Sequence, residues 1–264
     1  PTCDQIRCGV GHMKFSANLG FLWQDRPLPD AIRAAKSAGF DAVECHWPYD
    51  TPAADVAAAL AETGLPMLGL NTRRGDVAGG ENGLSALPGR ETEARAAIDE
   101  AVAYAKVVNA GAIHVMAGFA HGQDSRQTFV SNLKYASEIA PERTILIEPL
   151  NHHDAPGYFL QTSGQAIEII AEVGAPNLKL MFDCHHLQIM EGDLTHRLQT
   201  LQSHIGHIQF ASVPDRGTPD HGEVSYNHIF QVIQDMGNTA PLGAEYKPVG
   251  PTNDTLGWLT HVQN

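Results

Sequence analysis

One unit recurs along nearly the whole chain: a short apolar run, often β-branched, then a polar or glycine-rich loop, then an alanine-rich amphipathic stretch. The apolar runs fall at 14–19, 42–45, 66–70, 112–116, 144–148, 178–183, 205–210 and 241–245. The amphipathic stretches fall at 29–38, 52–62, 91–109, 125–139, 163–173, 194–202, 226–236 and near 254–262. Spacing sets their type. Ala31, Ala34, Ala35 and Ala38 share one helical face, and Gly39 ends the run. Ser163 opens a second helix containing Ile167, Ile170 and Ala171, and Gly174 closes it as a left-handed cap residue would. Strands that alternate with helices build a parallel sheet. Eight such units in roughly 250 residues close into a barrel. The expected class is therefore α/β, a (β/α)8 TIM barrel in a single domain. An open doubly wound sheet would place G-x-G-x-x-G after its first strand. Asn18-Leu19-Gly20-Phe21 does not supply it.

No composition break marks a second domain. Hydrophobic residues make up 43% and charged residues 18%, enough apolar surface for a sizeable core. Against 17 Lys and Arg stand 30 Asp and Glu, a net charge of −13. That balance disfavours nucleic acid or an anionic membrane surface as a partner. No stretch approaches the roughly 20 apolar residues of a membrane span. The four cysteines, Cys3, Cys8, Cys45 and Cys184, lack metal-ligand spacing, and a reducing cytoplasm is expected. Residues 1–12 show neither period and read as a non-native or leader segment ahead of a barrel at 13–264. The longest connection, 71–90, is glycine-rich and follows the third strand, on the face where barrels carry their active sites. It is expected to cover the site.

The strand tips carry the chemistry. Glu148, Asp183 and Glu245 end apolar strands, and Gln209 lies near the end of another. Carboxylates rarely sit buried unless they are paired or bind metal. In a barrel these tips converge on one axis, where they would repel unless protonated or bridged by a divalent cation. Oxygen-only ligands favour Mg²⁺ or Mn²⁺ over Zn²⁺. The bland alternative is a set of unrelated polar caps. Arg216, in a loop with Pro214, Gly217 and Pro219, is a candidate clamp for an anionic substrate, with His186 or Lys247 assisting. Glu44, at the end of the second strand, could join the site or cap a loop, and Asn71, which opens the connection after the third, is a further candidate substrate contact. Cys184 reads as a small buried residue, since no cation beside it would stabilise a thiolate.

These residues sit in longer motifs that resemble the hydroxypyruvate isomerase family, within the xylose-isomerase-like barrels. The resemblance runs from Met13 to about Trp258. It includes F-S-A-N-L (15–19), G-F-D-A-V-E (39–44), G-D-V-A-G-G-E-N-G (75–83) and I-E-P-L-N-H-H-D-A-P-G (147–157). It continues through F-D-C-H-H-L-Q-I-M-E-G (182–192), G-H-I-Q-F-A (206–211), P-D-R-G-T-P-D-H-G-E-V-S-Y (214–226) and A-E-Y-K-P (244–248). The resemblance implies a divalent metal on Glu148, Asp183, Gln209 and Glu245, with Glu148 and Glu245 as the acid/base pair. It implies substrate contacts from His186 and Arg216. Gln209, where related sugar epimerases usually carry His, implies the small-acid branch. Cys184-His185 departs from the apolar or aromatic pair usual there.

The implied reaction interconverts hydroxypyruvate and 2-hydroxy-3-oxopropanoate (tartronate semialdehyde) through a cis-enediol, with a small anionic keto acid as partner. A 2-oxo-tetronate isomerase and a ketose 3-epimerase are the close alternatives on the same scaffold. A multi-zinc endonuclease is opposed by the charge, and a non-catalytic sugar-acid binder by the glutamate pair. Resemblance also leaves room for a homodimer or higher homo-oligomer.

Overall fold

The computed structural model describes residues 13–263; the segment at 1–12, read above as a leader, lies outside them. Eight strands form one sheet: β1 (Phe15–Asn18), β2 (Ala42–Glu44), β3 (Gly69–Asn71), β4 (Ala112–His114), β5 (Thr144–Ile147), β6 (Leu178–Asp183), β7 (Ile205–Phe210) and β8 (Leu242–Ala244). All pairings are parallel, in the order β2-β1-β8-β7-β6-β5-β4-β3. The ring closes between β2 and β3 through a parallel bridge from Val43 to Met67. Val43 N–H donates to Pro66 O at 3.0 Å and Leu68 N–H to Val43 O at 2.8 Å. The (β/α)8 barrel expected from the repeat is thus the fold.

The helices between the strands are α1 (Leu28–Ser37), α2 (Ala53–Thr63), α3 (Glu91–Val108), α4 (Gln123–Ile139) and α5 (Ser163–Val173). After β6 come α6 (Cys184–Met190) and α7 (Leu194–Leu201); α8 (Tyr226–Asp235) and α9 (Gly257–Gln263) complete the ring. Two elements differ from the sequence expectation. β3 begins at Gly69 rather than at residue 66, because Pro66 has no N–H to donate to a ladder. The short α6 was not expected, and it starts where Asp183 caps it by accepting from His185 N–H at 2.8 Å.

Strand alternation divides the interior in two. Phe15, Ala17, Val43, Ile113, Ile145, Ile147, Leu180, Phe182, Ile208, Phe210 and Leu242 face outward and join one continuous core beneath the helices. Phe210 meets Phe15, Phe230 and Trp258 edge-on at 5.8, 5.0 and 5.4 Å, welding α8 and α9 to the barrel. The alternate residues face the axis. Their lower layer mixes small residues such as Gly69 with larger ones, and Ala112, Leu146 and Met181 form a separate apolar cluster there. A cavity of about 200 Å³ lies against them, below the polar strand tips.

The connection at 71–90 is anchored to the segment after β4. Ser85 and Ala86 N–H groups donate to Met116 O and Ala117 O at 3.2 and 2.8 Å. Gly83 and Gly118 hold φ of +120° and +97° where the two backbones touch, and a Cβ on Gly118 would stand 2.2 Å from Gly83 O.

Candidate active site

Each strand sends one polar side chain to the axis at or just past its C-terminal end: Asn18, Glu44, Asn71, His114, Glu148, Asp183, Gln209 and Glu245. All but the half-buried Asn71 are buried. This is the catalytic face of the barrel architecture.

Glu44 is the hub of the lower side of the ring. Its Oε1 accepts from Gln209 Nε2 at 2.8 Å and from Asn18 Nδ2 at 3.1 Å, and its Oε2 from His207 Nε2 at 2.8 Å. Burial opposes its charge, but His207 and Gln209 outweigh burial and hold its carboxyl below the usual range. A carboxylate only accepts. Gln209 must therefore turn its NH₂ down to Glu44, which leaves Gln209 Oε1 facing the site, buried and without a partner. Gly243 makes room for this contact, since a Cβ there would lie 2.6 Å from Glu44 Oε1. Glu44 so reaches the site through Gln209 and Asn18, with both its own oxygens already occupied.

Glu245 is held from three sides. Asn18 Nδ2 donates to its Oε1 at 2.9 Å, His46 Nε2 to the same oxygen at 2.7 Å, and Arg216 Nη2 to its Oε2 at 2.7 Å. Burial works against its ionisation, yet Arg216 and His46 together keep its carboxyl well below the ordinary value. Glu148 behaves oppositely. Burial first, then Glu245 and Asp183, push its carboxyl well upward, and its Oε1 is buried without a partner. Burial also raises Asp183, to about 6, against the pull of Arg216.

His186 lies 3.5 Å from Asp183 Oδ2 and 3.8 Å from Glu148 Oε1 through its Nε2. Asn151 N–H donates to His186 Nδ1 at 3.1 Å, which makes Nδ1 the acceptor. Burial, then Arg216 and His185, keep the ring neutral. Nε2 therefore carries the hydrogen and faces the carboxylates as a donor. His114, buried with neither ring nitrogen partnered, stands 3.6 Å from Glu148 Oε2, and burial pushes it down to about 3.

Arg216 adopts a left-handed backbone with φ +56°. For a non-glycine residue that conformation costs about 1–3 kcal/mol, a cost typical of functional positions. It places Nη2 between Glu245 Oε2 and Asp183 Oδ2, the latter at 3.4 Å, and Nη1 3.2 Å from Asp154 Oδ2. Phe21 packs 5.0 Å from the guanidinium carbon. Lys247 is exposed and reaches only the rim, its Nζ 5.9 Å from the Phe21 ring centre.

Whether this set suits a cation can be judged from its unpaired atoms. Glu148, Asp183 and His186 offer ligand atoms within 4.8 Å of one another. Glu148 Oε1 and Gln209 Oε1 are buried acceptors with no donor, and the raised Glu148 and Asp183 are short of positive charge. Glu148, Asp183 and Gln209 thus fit a hard, oxygen-liganded cation; both oxygens of Glu245 already accept from Asn18, His46 and Arg216, so it joins only by sharing one of them, and the Nε2 hydrogen of His186 removes that ring from the ligand set.

Sequence reasoning did not pick out Asn18, His46, His114 or Asp154. Alternation could have found two of them: Asn18 lies two residues after Ser16, and His114 two after Ala112, on the inward side. His46 and Asp154 lie in loops, where no period points inward.

The family model described as xylose isomerase-like TIM barrel matches residues 32–262. A 2-oxo-tetronate isomerase of Cupriavidus necator is 43% identical over 93% of this chain and 97% of its own length. The hydroxypyruvate isomerase of Escherichia coli is 37% identical over 94% of this chain and 98% of its own. A Brucella melitensis crystal structure titled AP endonuclease, family 2 superposes with a TM-score of 0.91 at 36% identity, covering 96% of this chain and all of that one. The chain belongs to the xylose isomerase-like TIM barrel family, and it is an enzyme of the isomerase class.

Proposed function

We propose that this enzyme interconverts hydroxypyruvate and 2-hydroxy-3-oxopropanoate by a metal-assisted proton transfer through a cis-enediol. One observation carries the reading: two buried ring carboxyls driven in opposite directions, Glu245 lowered against burial by Arg216 and His46, and Glu148 raised by burial and its carboxylate neighbours. Such a pair supplies a base and an acid at one pH. Glu245 takes a proton from the hydroxyl-bearing carbon of the substrate. Glu148 returns one to the neighbouring carbon, and the hydroxyl hydrogen passes to the former carbonyl oxygen. The reverse reaction exchanges the two roles. His186 Nε2–H faces the place where oxygen charge develops and donates to it. A Mg²⁺ or Mn²⁺ on Glu148, Asp183, Gln209 and Glu245 would act as a Lewis acid toward the enediolate.

The similarity to a 2-oxo-tetronate isomerase supports a second reading, the same chemistry on a four-carbon 2-oxo acid. In either case the partner is a small anionic keto acid. The free buried Cys45 and Cys184 agree with a cytoplasmic setting. No described helix is long and apolar enough to cross a membrane. Self-association into a homodimer is part of this reading and is checked by light scattering.

The test is an NMR assay in D₂O with hydroxypyruvate, 2-oxo-tetronate and neutral ketoses, with Mg²⁺ and with EDTA. Deuterium entering hydroxypyruvate together with 2-hydroxy-3-oxopropanoate, only when metal is present, is the expected result. Exchange confined to 2-oxo-tetronate selects the second reading. Exchange confined to neutral ketoses overturns both acid readings, and metal-independent exchange overturns the role of the cation.

A further inference from the structure

Two arginines open the connection after β3, and the structure treats them differently. Arg73 is spent: its Nε and Nη2 hold both oxygens of Glu100 at 2.6 and 3.1 Å, and its guanidinium lies over Tyr49. Arg74 pairs with no carboxylate among the described residues; its guanidinium carbon lies over the Trp47 ring, 3.7 Å from the ring centre. It is half-buried, and burial alone acts on its charge. A half-buried guanidinium with no carboxylate beside it is left open to pair with an incoming anion.

Arg74 lines a cleft of about 310 Å³ shared with Leu19, Gly20, His46, Trp47 and Asp50. Asp50, the acidic side chain on this wall, acts on Arg73. The cleft borders the catalytic ring through His46, whose Nε2 donates to Glu245 Oε1 at 2.7 Å. His46 fits there only because residue 20 is glycine, where a Cβ would stand 2.1 Å from His46 Nδ1. Arg216, by contrast, already touches Asp154, Asp183 and Glu245. A substrate carboxylate approaching Arg216 meets three negative charges around one positive charge.

We propose that Arg74, held over the Trp47 ring, receives the carboxylate of an acyclic hydroxy-oxo acid in the cleft beside His46, leaving the reacting carbons toward Glu245. The assignment rests on the keto-acid reading above and moves the anion clamp expected at Arg216 to Arg74. Arg216 then serves the ring's own carboxylates. A guanidinium suits two-point binding of a carboxylate, and the Trp47 ring against it restrains its position.

The probe is D-glycerate, a hydroxy acid with no carbonyl to isomerise, titrated calorimetrically into the metal-loaded parent enzyme, Arg74→Met and Arg74→Lys. Losing a charge-assisted pair is expected to weaken glycerate binding by about 10- to 100-fold in Arg74→Met. Arg74→Lys keeps the charge without the guanidinium and falls between. KM for hydroxypyruvate rises in step while kcat stays within about threefold, and exchange of dihydroxyacetone, its neutral analogue, is unchanged. Glycerate bound by Arg74→Met as tightly as by the parent overturns the assignment. So does an equal KM rise for dihydroxyacetone, which would mark Arg74 as merely structural. If no acid is turned over but Arg74→Met still loses glycerate, the anion site stands and the proposed reaction falls.

Discussion

Gln209 is a neutral amide in a ring of acids, and which of its ends faces the barrel axis is decided from below by Glu44. That dependence can be tested without measuring turnover. Glu44→Gln lets the lower partner offer N–H, so Gln209 can turn its own NH₂ into the site. Cation affinity should fall roughly 10- to 100-fold by calorimetry, the usual effect of losing such a supporting contact. The swap Glu44→Gln with Gln209→Glu restores the polarity and should recover most of the affinity. At the acid/base pair the effect is on rate. Glu148→Gln and Glu245→Gln should each lower the rate of deuterium exchange by about 10²- to 10⁴-fold with the fold intact. The four tips Glu148, Asp183, Gln209 and Glu245 were legible in the sequence because each follows apolar strand residues. The lowered carboxyl of Glu245 was not, because against burial it depends on Arg216 and His46, which arrive from loops.

Among the elements, the strands and long helices were legible because their periods are clean, and most bounds agree within a few residues. The failures have physical causes. The seven-residue α6 is too short to show a period, and it is set by the Asp183 cap. β3 starts late because the run expected from the sequence opens on Pro66, which has no N–H for the ladder. The connection at 71–90 was expected to lie over the site, but nothing in its composition announced that its second half pairs with the segment after β4. Gly118 is the critical position of that pairing. Gly118→Ala forces a methyl group onto Gly83 O in a backbone region that alanine avoids. It should destabilise by about 1–3 kcal/mol, read as a lower midpoint in chemical denaturation.

For the molecule as a whole, the ring concentrates like charge that folding must desolvate. Glu148 and Asp183 both have raised carboxyls. A carboxyl raised on folding binds its proton more tightly in the native state. These two therefore oppose folding in full once the pH is above their folded values; for Asp183 the penalty shrinks as pH falls below about 6 and is gone below the ordinary carboxylate range. A divalent cation should relieve the same penalty. At neutral pH, Mg²⁺ or Mn²⁺ at a hundred times its Kd should stabilise by about 2.7 kcal/mol, seen as a rise in Tm that EDTA reverses. The rise should shrink as pH falls below about 6, where protons compete for the ligands. A Tm indifferent to metal throughout would remove the cation from the ring.

The small residues lining the barrel beneath that ring have a mechanical consequence. Void volume inside a fold is what hydrostatic pressure acts against, since unfolding under pressure proceeds by eliminating it. A cavity of about 200 Å³ on the axis should make this barrel soft to compression and give it a large negative volume change of unfolding. Gly69 borders that cavity, and a methyl group added there would meet its nearest neighbour at an ordinary 3.5 Å. Gly69→Ala should therefore raise the pressure midpoint and add about 0.4–1 kcal/mol of stability. The catalytic face would then rest on a stiffer floor.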